Sequence, residues 1–167
     1  MLRSISRPTS RRGFTLIEIL IVVIILGILA AIVIPQFSSA TNDARKSTLA
    51  STAQTVRSEV ALYQVQHNGV LPGMGASGFD SNVFWTQLTT KTDQNGAAYS
   101  GSSTTGPFGP YMQSTPANPL AAGQSWQSTV ADGTGTALST PAGFVYDFTG
   151  TSGNFWGTDA TGKAIIP

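Results

Sequence analysis

The chain has 167 residues, 41% of them hydrophobic and 10% charged, with no cysteine, which leaves room for one small domain beside any long apolar segment and excludes disulfides and thiolate metal sites. Its net charge of +1 hides an asymmetry: Arg3, Arg7, Arg11 and Arg12 lie in the first twelve residues, whereas from Gln36 onward five basic residues face seven acidic ones. With no basic patch in that second part, a nucleic-acid partner is not expected.

The first element in chain order is an apolar run. Leu16 to Ile34 contains only Glu18 as a charge. As a helix, Phe14 to Ile34 would be about 31 Å long, close to the hydrocarbon thickness of a bilayer. Basic residues ahead of such a span favour keeping that end in the cytoplasm and the rest outside. Glu18 needs a reason, because a carboxylate at mid-bilayer costs about 2.5–3.5 kcal/mol and somewhat less near an end. Three readings compete: a secretory signal removed near Ser38-Ser39-Ala40, a twin-arginine signal beginning at Ser10-Arg11-Arg12-Gly13-Phe14, or a run that is retained after cleavage ahead of it. Glu18 has no use in either conventional signal, and the run exceeds the roughly 7–15 residues of a signal's apolar region. The bland alternative is a Glu18 that snorkels to the interface, four residues beyond Phe14. Gly27 weakens the helix by roughly 1 kcal/mol relative to Ala. Pro35 lacks an amide hydrogen and crowds the carbonyl of Ala31, so a kink or a loosened turn is expected there.

From Gln36 to Asn68 there is no Gly or Pro, and Leu49, Ala53, Val56, Val60 and Tyr63 recur at steps of four and three. That spacing predicts an amphipathic helix with one apolar stripe against a sheet, stopped at Gly69 and Pro72. Charges on it are few: Asp43, Arg45 and Lys46 lie near its start. His67, the sole histidine, sits where a helix-end charge or hydrogen bond is the expected role. Beyond Pro72 the composition turns glycine-rich. Asn82–Thr90 reads as a short helix capped by Asn82, with Phe84, Trp85 and Leu88 inward. Gly96–Gly109 reads as a turn-rich loop. Ser125–Val130, Phe144–Phe148 and Asn154–Trp156 read as strands, the last two as a hairpin, with Phe144, Tyr146 and Phe148 on the buried face of a half-buried strand. The fold class expected is α+β: a long N-terminal helix over a small antiparallel sheet. The expected segments are 1–13, 14–35, 36–68 and 69–167.

Catalytic material is scarce. There is no cysteine and no G-x-S-x-G nucleophile motif. Gly73-Met74-Gly75-Ala76-Ser77-Gly78 matches G-x-G-x-x-G but follows a helix end instead of a strand, so a turn is the better reading. Asp80, Asp93 and Asp132 cannot be placed relative to one another, and Trp126 and Trp156 fit a core, a subunit contact or an exposed binding surface. An enzyme is not expected; an exported or membrane-tethered ligand-binding domain is the alternative to a structural role.

Gly13-Phe14-Thr15-Leu16-Ile17-Glu18, behind a basic leader and ahead of a long apolar run, resembles the cleavage and methylation motif of type IV pilins and of the pseudopilins of type II secretion. The resemblance implies that a prepilin peptidase/methyltransferase cuts after Gly13, removing Met1–Gly13, and methylates Phe14. It implies that Glu18 then pairs with the Phe14 amine of a neighbouring subunit in a helical homopolymer, and that Gly27 and Pro35 mark a stretch able to extend on assembly. Implied partners are minor pseudopilins, an inner-membrane assembly platform with a cytoplasmic ATPase, and an outer-membrane secretin. The implied location is the bacterial inner membrane, single-pass, with the C-terminal domain in the periplasm. Looser similarities run from Gly109-Pro110-Tyr111-Met112 to Asn118-Pro119-Leu120 and over Gly143–Gly150; with the missing cysteines they favour the major G-type pseudopilin over a true pilin. That branch often holds calcium in its C-terminal loop, which makes Asp147 and Asp159 the implied ligands, with Thr149, Thr151, Ser152 and Asn154 between them. The D-x-D-x-D-G calcium pattern is absent.

Overall fold

The computed structural model describes residues 13–75, 78–101, 106–133, 138–149, 153–163 and 165–166. The chain divides into two compact units between Thr41 and Asn42. Helix α1 runs from Leu16 to Gln66. In the first unit every described residue is exposed, including the large apolar side chains from Phe14 to Phe37. Gly27 and Pro35 both lie inside α1, and neither ends it. Proline removes one hydrogen bond from the ladder, and the turns on either side carry the helix across. Ser39 donates its hydroxyl to the Pro35 carbonyl at 3.3 Å.

In the second unit the buried residues of α1 are Leu49, Ala53, Val56, Val60 and Tyr63, the stripe its periodicity predicts. They form one core with Phe84, Trp85 and Leu88 and with Val130, Phe144, Tyr146 and Phe155. Burying each such side chain stabilises by about 1.5–3 kcal/mol. The helix ends in a Schellman arrangement, with the Gly69 amide donating to the Gln64 carbonyl at 2.8 Å. The left-handed position falls on Asn68 (φ 54°), one residue before the glycine expected to stop the helix.

Two-residue strands β1 (Met74–Gly75) and β2 (Gly78–Phe79) pair antiparallel and lead into α2 (Ser81–Thr89), which buries Phe84, Trp85 and Leu88. Its cap is Asp80, not Asn82: the Asp80 carboxylate accepts from the amides of Asn82 and Val83 at 2.7 and 3.3 Å. Ser81 is drawn away to accept from the Val130 amide at 2.9 Å.

The main sheet has the order β3 (Val130–Asp132), β4 (Phe144–Asp147), β5 (Asn154–Thr158), β6 (Ile165–Ile166). The β4–β5 hairpin and the β5–β6 pair are antiparallel, but β3 and β4 run parallel, so the sheet is mixed where an antiparallel one was expected. The reason is the return of the chain to the start of β3: Gly143 and Phe144 both donate their amides to the Thr129 carbonyl, at 3.1 and 3.0 Å. The expected strand at Ser125–Val130 is displaced with it, since residues 125–128 form a turn and pairing begins at Val130. Strand β4 is buried on both faces and not half-buried; Val145 is as inaccessible as Phe144 and Tyr146.

Asn118, fully buried, ties the loop before the sheet to the sheet itself. Its Nδ2 donates to the carbonyls of Gly143 and Thr158, both at 2.8 Å, and its Oδ1 accepts from the Leu120 amide at 2.9 Å. The Leu120 contact caps the 3₁₀ turn Pro119–Ala121. Asn118→Ala leaves these buried groups without their partner and is expected to cost about 2 kcal/mol, read as a lower urea midpoint at unchanged m-value.

Candidate functional site

The N-terminal motif forms a compact hydrogen-bonded unit. Gly13, Phe14 and Thr15 are exposed and precede the helix, so the Gly13–Phe14 bond lies in non-helical backbone. The Thr15 amide and hydroxyl both donate to Glu18 Oε2, at 3.0 and 2.9 Å, and the Glu18 amide donates to Thr15 Oγ1 at 3.3 Å. This is a capping box: Thr15 is the N-cap, Glu18 the third helical residue, and each satisfies a backbone donor that the helix start leaves open. The Thr-x-x-Glu spacing of Thr15–Glu18 is the signature of this box, a role for Glu18 distinct from both a partner in another chain and snorkelling to the interface. Within one chain the carboxylate already has two donors, and its place next to the helix N-terminus suits a negative charge.

Downstream of Glu18 the helix is apolar right round for a little over four turns, with large side chains exposed from Ile19 to Ile34. Among the described residues α1 is the one helix long and apolar enough to cross a membrane. A monomer's largest apolar patch is ordinarily roughly 300–600 Å² and tends to mark an interaction surface.

The other candidates do not assemble into a second site. Asp147 is registered opposite Asn154 at the start of β5, and Asp159 follows Thr158 at its end, so about 16 Å of strand separates them. Oδ1 of Asp147 accepts from the Thr149 amide (2.9 Å) and hydroxyl (2.7 Å); that side-chain bond, then the backbone one, holds the carboxyl below the usual carboxylate range. Oδ1 of Asp159 accepts from the Thr161 amide and hydroxyl at 3.0 and 2.7 Å and from the Lys163 amide at 3.2 Å. Calcium takes six to eight oxygens at 2.3–2.6 Å as a general rule, roughly. Two carboxylates this far apart do not fit one ion, and among the described residues no three His, Asp or Glu side chains come together. Thr151 and Ser152 lie outside the described residues.

His67 is buried, stacked on Tyr63 with ring centroids 3.7 Å apart. Its Nδ1 is 2.8 Å from the Tyr63 carbonyl oxygen, which only accepts, so Nδ1 carries a hydrogen, and Nε2 is hydrogen-bonded to the Thr92 hydroxyl at 3.0 Å. Of its two expected roles, the hydrogen bond is the one realised. The Gly73–Gly78 stretch forms the β1–β2 hairpin, with Ala76 and Ser77 outside the described residues. Trp126 and Trp156 are half-buried, and Arg57 lies over the Trp156 ring at 5.9 Å. Asp80 and Asp93 each cap backbone amides.

Residues 8–34 match the prokaryotic N-terminal methylation motif. The chain is 46% identical over 59 residues to the type IV narrow pilus major component of Thermus thermophilus, which is 35% of this chain and 51% of the relative. It is 41% identical over 69 residues to the fimbrial protein of Neisseria meningitidis, covering 41% of this chain and 40% of the relative. It is 40% identical over 55 residues to the type II secretion system core protein G of Pseudomonas aeruginosa, covering 33% of this chain and 39% of the relative. The N-terminal segment is thus similar to that of type IV pilus and type II secretion core G proteins. The chain spans about half or less of the length of the curated pilins and pseudopilins it matches. No solved structure matches. The fold fits the family, being a long N-terminal helix on a small mixed sheet. The methylation motif spans the capping box and the whole apolar run to Ile34.

Proposed function

We propose that the chain is the structural subunit of a helical filament anchored in a bacterial inner membrane, and that it acts as a pseudopilin, the piston of a type II secretion system. The observation that carries the filament reading is the pairing of an uninterrupted apolar helix, exposed on every side, with one carboxylate at its start beside the Gly13–Phe14 bond. In lipid the apolar surface is solvated by acyl chains; in a filament it is buried against the same helices of other subunits. Cleavage after Gly13 frees the Phe14 amine, which gives the Glu18 carboxylate of a neighbour a positive partner. A slipped subunit would leave a charge unpaired in apolar surroundings, so the pair sets axial register. Head-to-tail repetition of one contact gives an open filament. The four leading arginines favour a cytoplasmic N-terminus and a periplasmic second unit.

The subunit carries no P-loop, so assembly draws on a separate cytoplasmic ATPase acting through a membrane platform. The second reading is a type IV pilus subunit that extends outside the cell, favoured by similarity to the type IV narrow pilus major component of Thermus thermophilus and to the fimbrial protein of Neisseria meningitidis. Both uses share the same subunit physics. Intact mass and N-terminal sequencing of the membrane-bound protein test the common part: a chain beginning at methylated Phe14 is expected, and a soluble chain beginning near Thr41 would refute it. Surface labelling separates the two uses, since long fibres outside the cell mark a pilus and periplasmic filaments a pseudopilus.

A further inference from the structure

Three half-buried aspartates of the second unit, Asp93, Asp147 and Asp159, share one way of being used. Asp159 opens a five-residue turn in which its Oδ1 accepts from the amides two and four residues on, Thr161 and Lys163, while the Gly162 amide donates to the Asp159 carbonyl at 3.0 Å. Asp93 opens the same turn. Its Oδ1 accepts from the amides of Asn95 and Ala97 at 2.9 and 3.0 Å, and the Gly96 amide donates to the Asp93 carbonyl at 2.9 Å. The glycine at the fourth position takes a left-handed φ in both, 72° at Gly162 and 80° at Gly96. Asp147 and Asp159 share a second pattern, Asp-x-Thr, in which the threonine donates both its amide and its hydroxyl to the aspartate two residues earlier. Each carboxylate thus satisfies backbone donors of its own turn.

We infer that aspartate-capped turns at Asp147 and Asp159, and not a bound calcium ion, hold the two ends of strand β5 in place. A calcium loop folds by gathering its carboxylates around one ion. Here Asp147 closes β4 opposite Asn154 while Asp159 follows the far end of β5, and each carboxylate accepts from at least one amide and a threonine hydroxyl of its own turn. The Asn118 clamp secures the same strand by donating to the Thr158 carbonyl, again without an ion. The folded second unit is therefore indifferent to calcium, whichever filament the chain builds.

The test is thermal unfolding of the full chain in detergent micelles, followed by tryptophan fluorescence, with millimolar calcium or with excess EDTA. The melting temperature is expected to be the same in both. Asp159→Asn keeps an acceptor oxygen in place and is expected to melt close to wild type, whereas Asp159→Ala loses the cap and is expected to melt about 4 °C lower. The same contrast is expected between Asp147→Asn and Asp147→Ala. A calcium-dependent rise in melting temperature that is lost in both asparagine variants would overturn the inference and install an ion. Alanine variants as stable as wild type would overturn the capping half of it.

Discussion

Gly143→Ala is expected to cost the second unit at least about 3 kcal/mol, lowering the melting temperature of the full chain by roughly 10 °C. A Cβ at this position would press onto the Gln127 carbonyl oxygen, 2.5 Å from its carbon and 3.0 Å from the Trp126 oxygen. All three are backbone atoms, and they cannot step aside. The Gln127 carbonyl is held by the Asn118 amide at 2.9 Å, and the Gly143 amide is itself pinned to Thr129 at 3.1 Å. Relief would require opening the junction that makes β3 and β4 parallel. Gly157→Ala is the comparison. The three heavy atoms nearest its Cβ all belong to the buried Leu49 side chain, which can shift more readily than backbone, so a smaller cost of about 1–2 kcal/mol is expected. Urea unfolding of the two variants side by side reads the difference; equal stabilities would mean that the chain does not pass so close to Gln127.

Glu18→Gln is expected to leave the subunit folded, membrane-inserted and processed, and to reduce filament yield at least about a hundredfold. Glutamine at the third helical position still accepts from the Thr15 amide and hydroxyl, so the capping box survives. What is lost is the negative charge. In the proposed filament the Phe14 amine would then be buried without a counter-ion, at a cost of about 3–5 kcal/mol per contact. Leucine at the same position removes cap and charge together. Filaments sheared from membranes and counted by electron microscopy measure the effect, with the membrane-bound subunit as the loading control. Wild-type filament yield from Glu18→Gln would show that Glu18 serves only as the cap of its own helix and would remove the register role from it.

Local sequence patterns are legible wherever one element suffices. The five-residue stripe of α1 is legible because a helix repeats every 3.6 residues, whatever it packs against, and its buried face is the predicted one. Phe84, Trp85 and Leu88 are inward in α2 for the same reason. The Gly-Phe-Thr-Leu-Ile-Glu motif is local as well, and so is the Thr15–Glu18 capping box inside it, which needed only the three-residue spacing to be noticed. The cap of α2 was misplaced because two polar residues compete for it. Asp80 takes it, its carboxylate accepting from the amides of Asn82 and Val83, while Ser81 is engaged by Val130, forty-nine residues away.

Tertiary structure alone decided the rest, and the physical reason is the distance along the chain between partners. Nothing in residues 130–147 announces that β3 and β4 run parallel; that follows from Gly143 fitting against Gln127 and bonding to Thr129. Asn118 reads as an ordinary loop residue until Gly143 and Thr158 arrive to accept from it. Asp147 and Asp159 look like possible partners in sequence, twelve positions apart, until the register of β4 and β5 sets Asp147 beside Asn154 and Asp159 beyond the far end of β5. The sequence by itself determined the helices, the apolar segment and its single carboxylate. The direction of a strand, the company of a buried amide and the separation of two carboxylates belong to the packed chain.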